Sequence, residues 1–169
     1  SIFLLPDQIK QLIYSDDAVA RVQRITNNDG AAYSREAILA SPECFREVEL
    51  VFSGWGSPVL DAELLDALPN LKAYFYGAGS VRAFVTEEFW KRDILLTSSY
   101  KANAVPVAEF TVAMVNLSLK QVWFMNRRIR SGENSFDRNQ IPGMYHGSTV
   151  GIISLGAIGQ RVCRKLIDL

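Results

Sequence analysis

The residues best suited to chemistry lie around position 150. Thr149-Val150-Gly151-Ile152-Ile153 is an apolar run, Ser154-Leu155-Gly156-Ala157-Ile158-Gly159 is a turn rich in glycine, and Gln160 opens helical sequence. That order suits a buried strand, a tight corner and a helix N-terminus. The N–H groups of such a corner can approach a pyrophosphate, whose charge the helix dipole favours. The spacing follows G-x-G-x-x-G, with Ser154 in the first glycine's place and Gly156 and Gly159 in the other two. A plain strand-to-helix corner fits the same residues, so the turn alone leaves both readings open.

Further candidates stand where other apolar runs end. The stretches at 54–57, 77–80 and 99–103 are each rich in small or glycine residues, which let backbone come close to a ligand. Gly77-Ala78-Gly79 reads either as a tight turn or as successive N–H groups forming a concavity for an anion. Trp55, between Gly54 and Gly56, fits the wall of a substrate pocket or an anchor packed on the surface.

The elements that must position these loops alternate. Apolar runs at 2–5, 23–26, 48–53, 71–76 and 94–97 read as strands, and helices are expected between them. Ser15 and Ser34 suit helix N-caps before 16–22 and 35–40, and Asn27-Asn28-Asp29-Gly30 suits a turn. Strands joined through helices imply right-handed crossovers and a parallel sheet, hence a doubly wound α/β fold. In such sheets ligands bind outside the carboxyl ends of the strands, which is where the small-residue loops fall.

The pattern changes at Asn103, an expected N-cap with Pro106 tolerable in the first turn. Helical sequence then runs to Ser131, with Gly132 as its stop. Residues 105–119 are apolar nearly all round and are expected to be buried on several sides. Arg127, Arg128 and Arg130 cluster where cations complement a helix C-terminus. Glu109, early in the helix, reads as structural for the same dipole reason. The polar segment 132–147 reads as a linker, and the domains are expected at 1–102 and 103–169.

Composition narrows the partners. The chain has 169 residues, with 18 basic side chains against 18 acidic ones. Zero net charge gives no electrostatic ground for nucleic acid or a membrane surface, and no run is expected to span a bilayer. No signal peptide is expected from the first residues. Cys44 and Cys163 stand far apart, which favours a reducing, cytoplasmic compartment over a disulfide framework. No metal-ligand spacing is present.

Taken together, the glycine loop at Gly77, Asn103-Ala104-Val105-Pro106-Val107-Ala108-Glu109 opening a long helix, and His146-Gly147-Ser148 leading into the turn at Ser154 resemble the D-isomer-specific 2-hydroxyacid dehydrogenase family. The resemblance implies a flavodoxin-like catalytic domain followed by a long helix and the first βα unit of a Rossmann domain. It implies NAD or NADP on Ser154, Leu155, Gly156, Ala157, Ile158 and Gly159, and a substrate carboxylate on the N–H groups of Ala78 and Gly79. Trp55 is placed as a further substrate contact, and a homodimer is expected. The acidic or amide residues that often follow the glycine loop are replaced by Ser80-Val81-Arg82, which leaves the substrate open.

In that family a histidine, a carboxylate and an arginine carry the proton transfer and hold the substrate, all well beyond the glycine turn. None is assigned here, and the chain alone is expected to be inactive, as an N-terminal portion of the enzyme. His146, the only histidine, reads as a solvated linker residue. Asp168 comes too early to read an adenosine ribose. A strand at 149–153 would need neighbours on both edges and is expected to be sticky without them. A nucleotide-sensing corepressor on the same scaffold, or a stand-alone flavodoxin-like domain with a dimerisation helix, are the alternatives.

Overall fold

In the computed structural model the described residues are 1–133 and 147–167. They fall into two compact units, Ser1–Tyr100 and Lys101–Leu169.

The first unit is a parallel sheet of five strands: β1 (Ile2–Leu4), β2 (Ala32–Tyr33), β3 (Leu50–Ser53), β4 (Ala73–Tyr76) and β5 (Leu95–Ser98). Their spatial order is β2-β1-β3-β4-β5, the flavodoxin-like doubly wound arrangement. The chain leaves central β1 for one edge and then returns to build toward the other. Right-handed crossovers therefore place helices on opposite faces in the two halves. On one face α1 (Asp7–Ile13) and α2 (Asp16–Ile25) cover Phe3 and Leu5. On the other, α3 (Arg35–Ala40), α4 (Ala62–Ala67) and α5 (Glu87–Trp90) enclose the larger core around Leu4, Val51, Tyr74 and Tyr76.

Local signals placed most of these elements. Ser15, Ser34, Asp61 and Thr86 each accept a backbone N–H of the first helical turn, which ends four helices' unpaired donors in the expected way. The strand expected at 23–26 is absent. Those residues finish α2, and the second strand is Ala32–Tyr33, paired with Phe3 and Leu4. Helical periodicity continuing from Ser15 outweighed the β-branched pair Ile25-Thr26. Asn28 and Asp29 then accept the N–H groups of Gly30 and Ala31, and Gly30 takes φ +80°.

One sheet face is incompletely covered. Phe52 and Phe75 stack with centroids 5.2 Å apart, and Leu95, on the same face of the edge strand, is 58% exposed.

The second unit contains α6 (Tyr100–Leu119, which begins at the last residue of the first unit), α7 (Val122–Arg130) and α8 (Ala157–Ile167). Several expectations change here. Asn103 lies inside α6 rather than capping it, so residues 100–103 are helix and not a ligand-facing loop. The single helix to Ser131 is broken at Gln121, which takes φ +54° after the tight Gln121 N–H to Ser118 carbonyl bond. Only Ala104 and Ala108 of α6 are buried, because little covers its apolar circumference among the described residues. By length and composition α6, with mean hydropathy 1.3, is long and apolar enough to cross a membrane, contrary to the expectation that no run would be. Gly132 ends α7 at φ +91°, as read from the sequence.

Residues 149–153 form no strand, and Ile153 is 99% exposed. A strand exists through its ladder partners, and none lies beside this run among the described residues.

Candidate functional site

Ser53 organises the strand ends of the first unit. It is wholly buried, and its hydroxyl donates to the Leu4 carbonyl at 2.6 Å. Its own carbonyl accepts the Tyr14 hydroxyl at 2.7 Å and the Gly77 N–H at 2.8 Å. One residue thus ties β1, β3, β4 and the residue that ends α1. Burial holds the Tyr14 phenol well above the usual tyrosine range, with Tyr74 nearby adding to it.

The glycines beside Ser53 are closely approached by Ile13. A Cβ on Gly54 would lie 2.2 Å from Ile13 Cδ1, and one on Gly77 would lie 2.8 Å from Ile13 Cγ2. The end of α1 therefore wedges against both loops. These glycines admit a neighbouring helix, where the sequence suggested a ligand. Neither reading excludes the other, since the N–H groups that follow Gly77 are a separate matter.

Those N–H groups are free. Among the described residues, the Ala78, Gly79 and Ser80 N–H groups have no acceptor within the chain. The carbonyls of Ala78 and Gly79 both face the Ser98 hydroxyl at the end of β5, at 3.0 and 2.5 Å. The one Ser98 proton is shared between these two carbonyls while the N–H groups lack acceptors, which polarises the loop. Successive unpaired donors at a strand end make a concavity suited to a carboxylate or phosphate. Ala78 is buried, and Phe84 packs on Tyr76 just beyond, which anchors the segment. Arg82 is exposed.

The loop after β3 is held from below. The Ser57 hydroxyl shares a 2.6 Å hydrogen bond with the Tyr74 hydroxyl, whose pKa burial pushes up to about 12. Trp55 is 51% exposed, which leaves half of its surface open to a ligand. A cavity of about 610 Å³ opens between this loop, at Gly56 and Pro58, and Pro6, Tyr33 and Arg35. Its one cation, Arg35, is already engaged by Asp61 and Glu63.

In the second unit the glycine turn leads into α8, although no strand precedes it. Ser154 takes φ +75°, the left-handed conformation that favours glycine at the position where it replaces one. A Cβ on Gly159 would lie 2.3 Å from the Ser154 carbonyl oxygen, so only glycine lets α8 close on the turn. Gly156 faces open space, and its carbonyl accepts the Gln160 N–H at 3.0 Å. The N–H groups of Ala157, Ile158 and Gly159 form the first turn of α8, where helical donors have no partner of their own. This fits a pyrophosphate. Leu155 is exposed beside it.

Other marked residues are structural. Glu109 approaches Lys165 at 3.5 Å, and Arg128 pairs with Glu133 and lies over the Phe124 ring. Among the described residues no cluster of potential metal ligands occurs. His146 and Asp168 lie outside the described residues. Sequence reasoning missed Ser98, Ser53 and Tyr14. For Ser98 the available signal was strand alternation, which puts it on the face of Tyr76 and next to the glycine loop.

No protein-family model matches the chain. It is 31% identical over 113 residues to a glyoxylate reductase of Thermofilum pendens, covering 63% of this chain and 32% of that protein. It is 30% identical over 110 residues to a glyoxylate/hydroxypyruvate reductase of Arabidopsis thaliana, covering 64% and 34%. A phosphoglycerate oxidoreductase from Rhizobium etli superposes with TM-score 0.75 at 20% identity, over 99% of this chain and 52% of that one. A D-lactate dehydrogenase from Aquifex aeolicus, solved with NAD and lactic acid, gives 0.66 at 19%, over 99% and 48%. A glyoxylate/hydroxypyruvate reductase from Sinorhizobium meliloti, solved with NADP and malonate, gives 0.65 at 18%, over 99% and 50%. The chain spans about a third of the curated relatives' length and about half that of the solved chains. In sequence and in fold, the neighbours of this chain are D-isomer-specific 2-hydroxyacid dehydrogenases, the family its glycine loops and the 103–109 segment resemble.

Proposed function

We propose that this chain provides the substrate-binding domain and the first phosphate-binding turn of an NAD- or NADP-dependent oxidoreductase acting on the CH–OH group of a D-2-hydroxy acid. The observation that carries the reading is the polarised loop after β4, whose free N–H groups at Ala78 and Gly79 suit the carboxylate shared by 2-hydroxy and 2-oxo acids. Trp55, half exposed on the neighbouring strand-end loop, supplies apolar surface for the rest of the substrate. The left-handed Ser154, the open Gly156 and the close-packed Gly159 suit a dinucleotide pyrophosphate. When bound, the nicotinamide would accept hydride from C2 of the 2-hydroxy acid, or in its reduced form give it to the 2-oxo acid. This chain's residues orient the carboxylate and hold the phosphates.

In this reading the 169 residues bind ligand without turning it over, since none is matched to the family's histidine, carboxylate and arginine. The exposed apolar surface of α6 is covered by a second copy, giving a homodimer. The free thiols of Cys44 and Cys163 suit the cytoplasm.

Amide NMR of the chain tests the two sites separately. Oxalate should move the Ala78 and Gly79 resonances to saturation, and NADH or NADPH those of Gly156, Ala157, Ile158 and Gly159. Movement confined to exposed lysines and arginines, with both sets still, would refute the reading.

A further inference from the structure

The Ser98 hydroxyl faces the carbonyls of both Ala78 and Gly79. A trans peptide points its N–H opposite to its C=O, and no cis bond occurs among the described residues. The Ala78 carbonyl belongs to the same peptide as the Gly79 N–H, and the Gly79 carbonyl to the same peptide as the Ser80 N–H. Fixing these two carbonyls on Ser98 therefore aims the Gly79 and Ser80 N–H groups away from it. The Gly77 N–H is already engaged by the Ser53 carbonyl at 2.8 Å, which pins the start of the loop. Rotation of either of the two later peptides would break a bond to Ser98 and swing a donor off its direction.

We propose that Ser98 is the positioning residue of this anion-binding loop and that the Ser80 N–H is a further donor to the anion, beyond the pair at Ala78 and Gly79. The proposal rests on the carboxylate reading of the loop. It predicts that the hydroxyl of Ser98 matters and its bulk does not. Ser98→Thr keeps a hydroxyl, and Ser98→Val has nearly the same shape without one. Comparing those two removes any packing cost they share, and Ser98→Ala gives the plain deletion.

Titration of the 169-residue chain with oxalate, followed by amide NMR, reads the effect. In the unsubstituted chain the Gly79 and Ser80 amides should shift together with saturation. Ser98→Ala and Ser98→Val should weaken oxalate about tenfold, and Ser98→Thr should stay within about threefold. Valine and threonine variants binding alike, with the same Gly79 and Ser80 shifts, would overturn the proposal. Should oxalate leave the unsubstituted loop unmoved, the carboxylate reading fails by itself. The role of Ser98 is then decided by the carbonyl ¹³C shifts of Ala78 and Gly79 in the free chain. They must move in the alanine and valine variants and return in the threonine variant. Carbonyls that do not move overturn it.

Discussion

Gly77→Ala separates a glycine needed for packing from one needed for ligand. A Cβ there would stand 2.8 Å from Ile13 Cγ2 and 3.2 Å from both the Ser53 carbonyl oxygen and the Tyr14 hydroxyl. Carbon atoms in contact prefer about 3.5–4.0 Å, so relief requires the end of α1 to move by roughly an ångström. Overpacking of this kind costs about 1–3 kcal/mol. The same movement strains the Tyr14 to Ser53 hydrogen bond, worth about 1 kcal/mol, in a place where the phenol has little access to water. The expected destabilisation is about 2–4 kcal/mol, measured by urea unfolding followed by far-UV circular dichroism. Ile13→Ala removes the clashing atoms at its own cost of lost burial. In Ile13→Ala/Gly77→Ala about half the penalty of the new Cβ should be relieved, a coupling of about 1–2 kcal/mol, the contacts to Ser53 and Tyr14 remaining. If Gly77→Ala lies within about 0.5 kcal/mol of the unsubstituted chain, or the two changes simply add, the packing argument is refuted. A variant that keeps its stability and loses oxalate would show instead that Gly77 serves the ligand.

The Tyr74 phenol titrates at about 12 in the folded chain against 10.0 as a model value, because burial disfavours its ionised form. Its contribution is intact below pH 10 and is lost as the pH rises toward 12, since the unfolded chain ionises first. Denaturant unfolding should show stability falling across that window, more steeply by about 1.4 kcal/mol per pH unit in the unsubstituted chain than in Tyr74→Phe. Gly159→Ala sets a Cβ 2.3 Å from a backbone oxygen of a turn already in the left-handed region, so the first turn of α8 should open. ¹³Cα shifts of residues 157–160 that stay helical would count against this. Amide hydrogen exchange should be slowest in β1, β3 and β4 and much faster throughout α6, α7 and α8; equal protection in both units would contradict the unequal distribution of their cores.

What was legible in the sequence was whatever short-range chemistry determines. Ser15 and Ser34 cap helices because a serine oxygen can reach the first turn in any context. The turn at Ser154 was legible because its glycine spacing is a steric requirement, now visible as the contact between Gly159 and the Ser154 carbonyl. The roles of Gly54 and Gly77 were not, because the reason for them, Ile13, lies on a helix far away in the sequence. Ser98 was hidden in the same way: its partners lie 19 and 20 residues upstream and meet it only through the β4–β5 register that pairs Tyr76 with Ser98. The misplaced second strand shows the converse error. Its residues had β propensity, yet the helix capped by Ser15 was already under way and carried them with it.

The same distinction bears on how the two units differ. Among the described residues, all the buried apolar side chains but Ala104, Ala108 and Val162 belong to the first unit. Its sheet has helices on both faces, and its strand ends are cross-tied through Ser53, so the Ala78–Ser80 loop stands on a scaffold that its own sequence can stabilise. The glycine turn has local geometry as well defined, but the run before it lacks ladder partners, and α6 leaves most of its apolar surface uncovered among the described residues. A phosphate-binding corner needs its N–H groups held at fixed angles, and backbone sterics at Ser154 and Gly159 can do that only while α8 itself is held in place. For α8 the described holds are Val162 in the interior, the Lys165–Glu109 pair and the Arg161 bond to the Lys101 carbonyl. Exposed ion pairs contribute little. The Ala78–Ser80 loop is therefore preorganised by its own unit, whereas the glycine turn at Ser154 has few holds among the described residues.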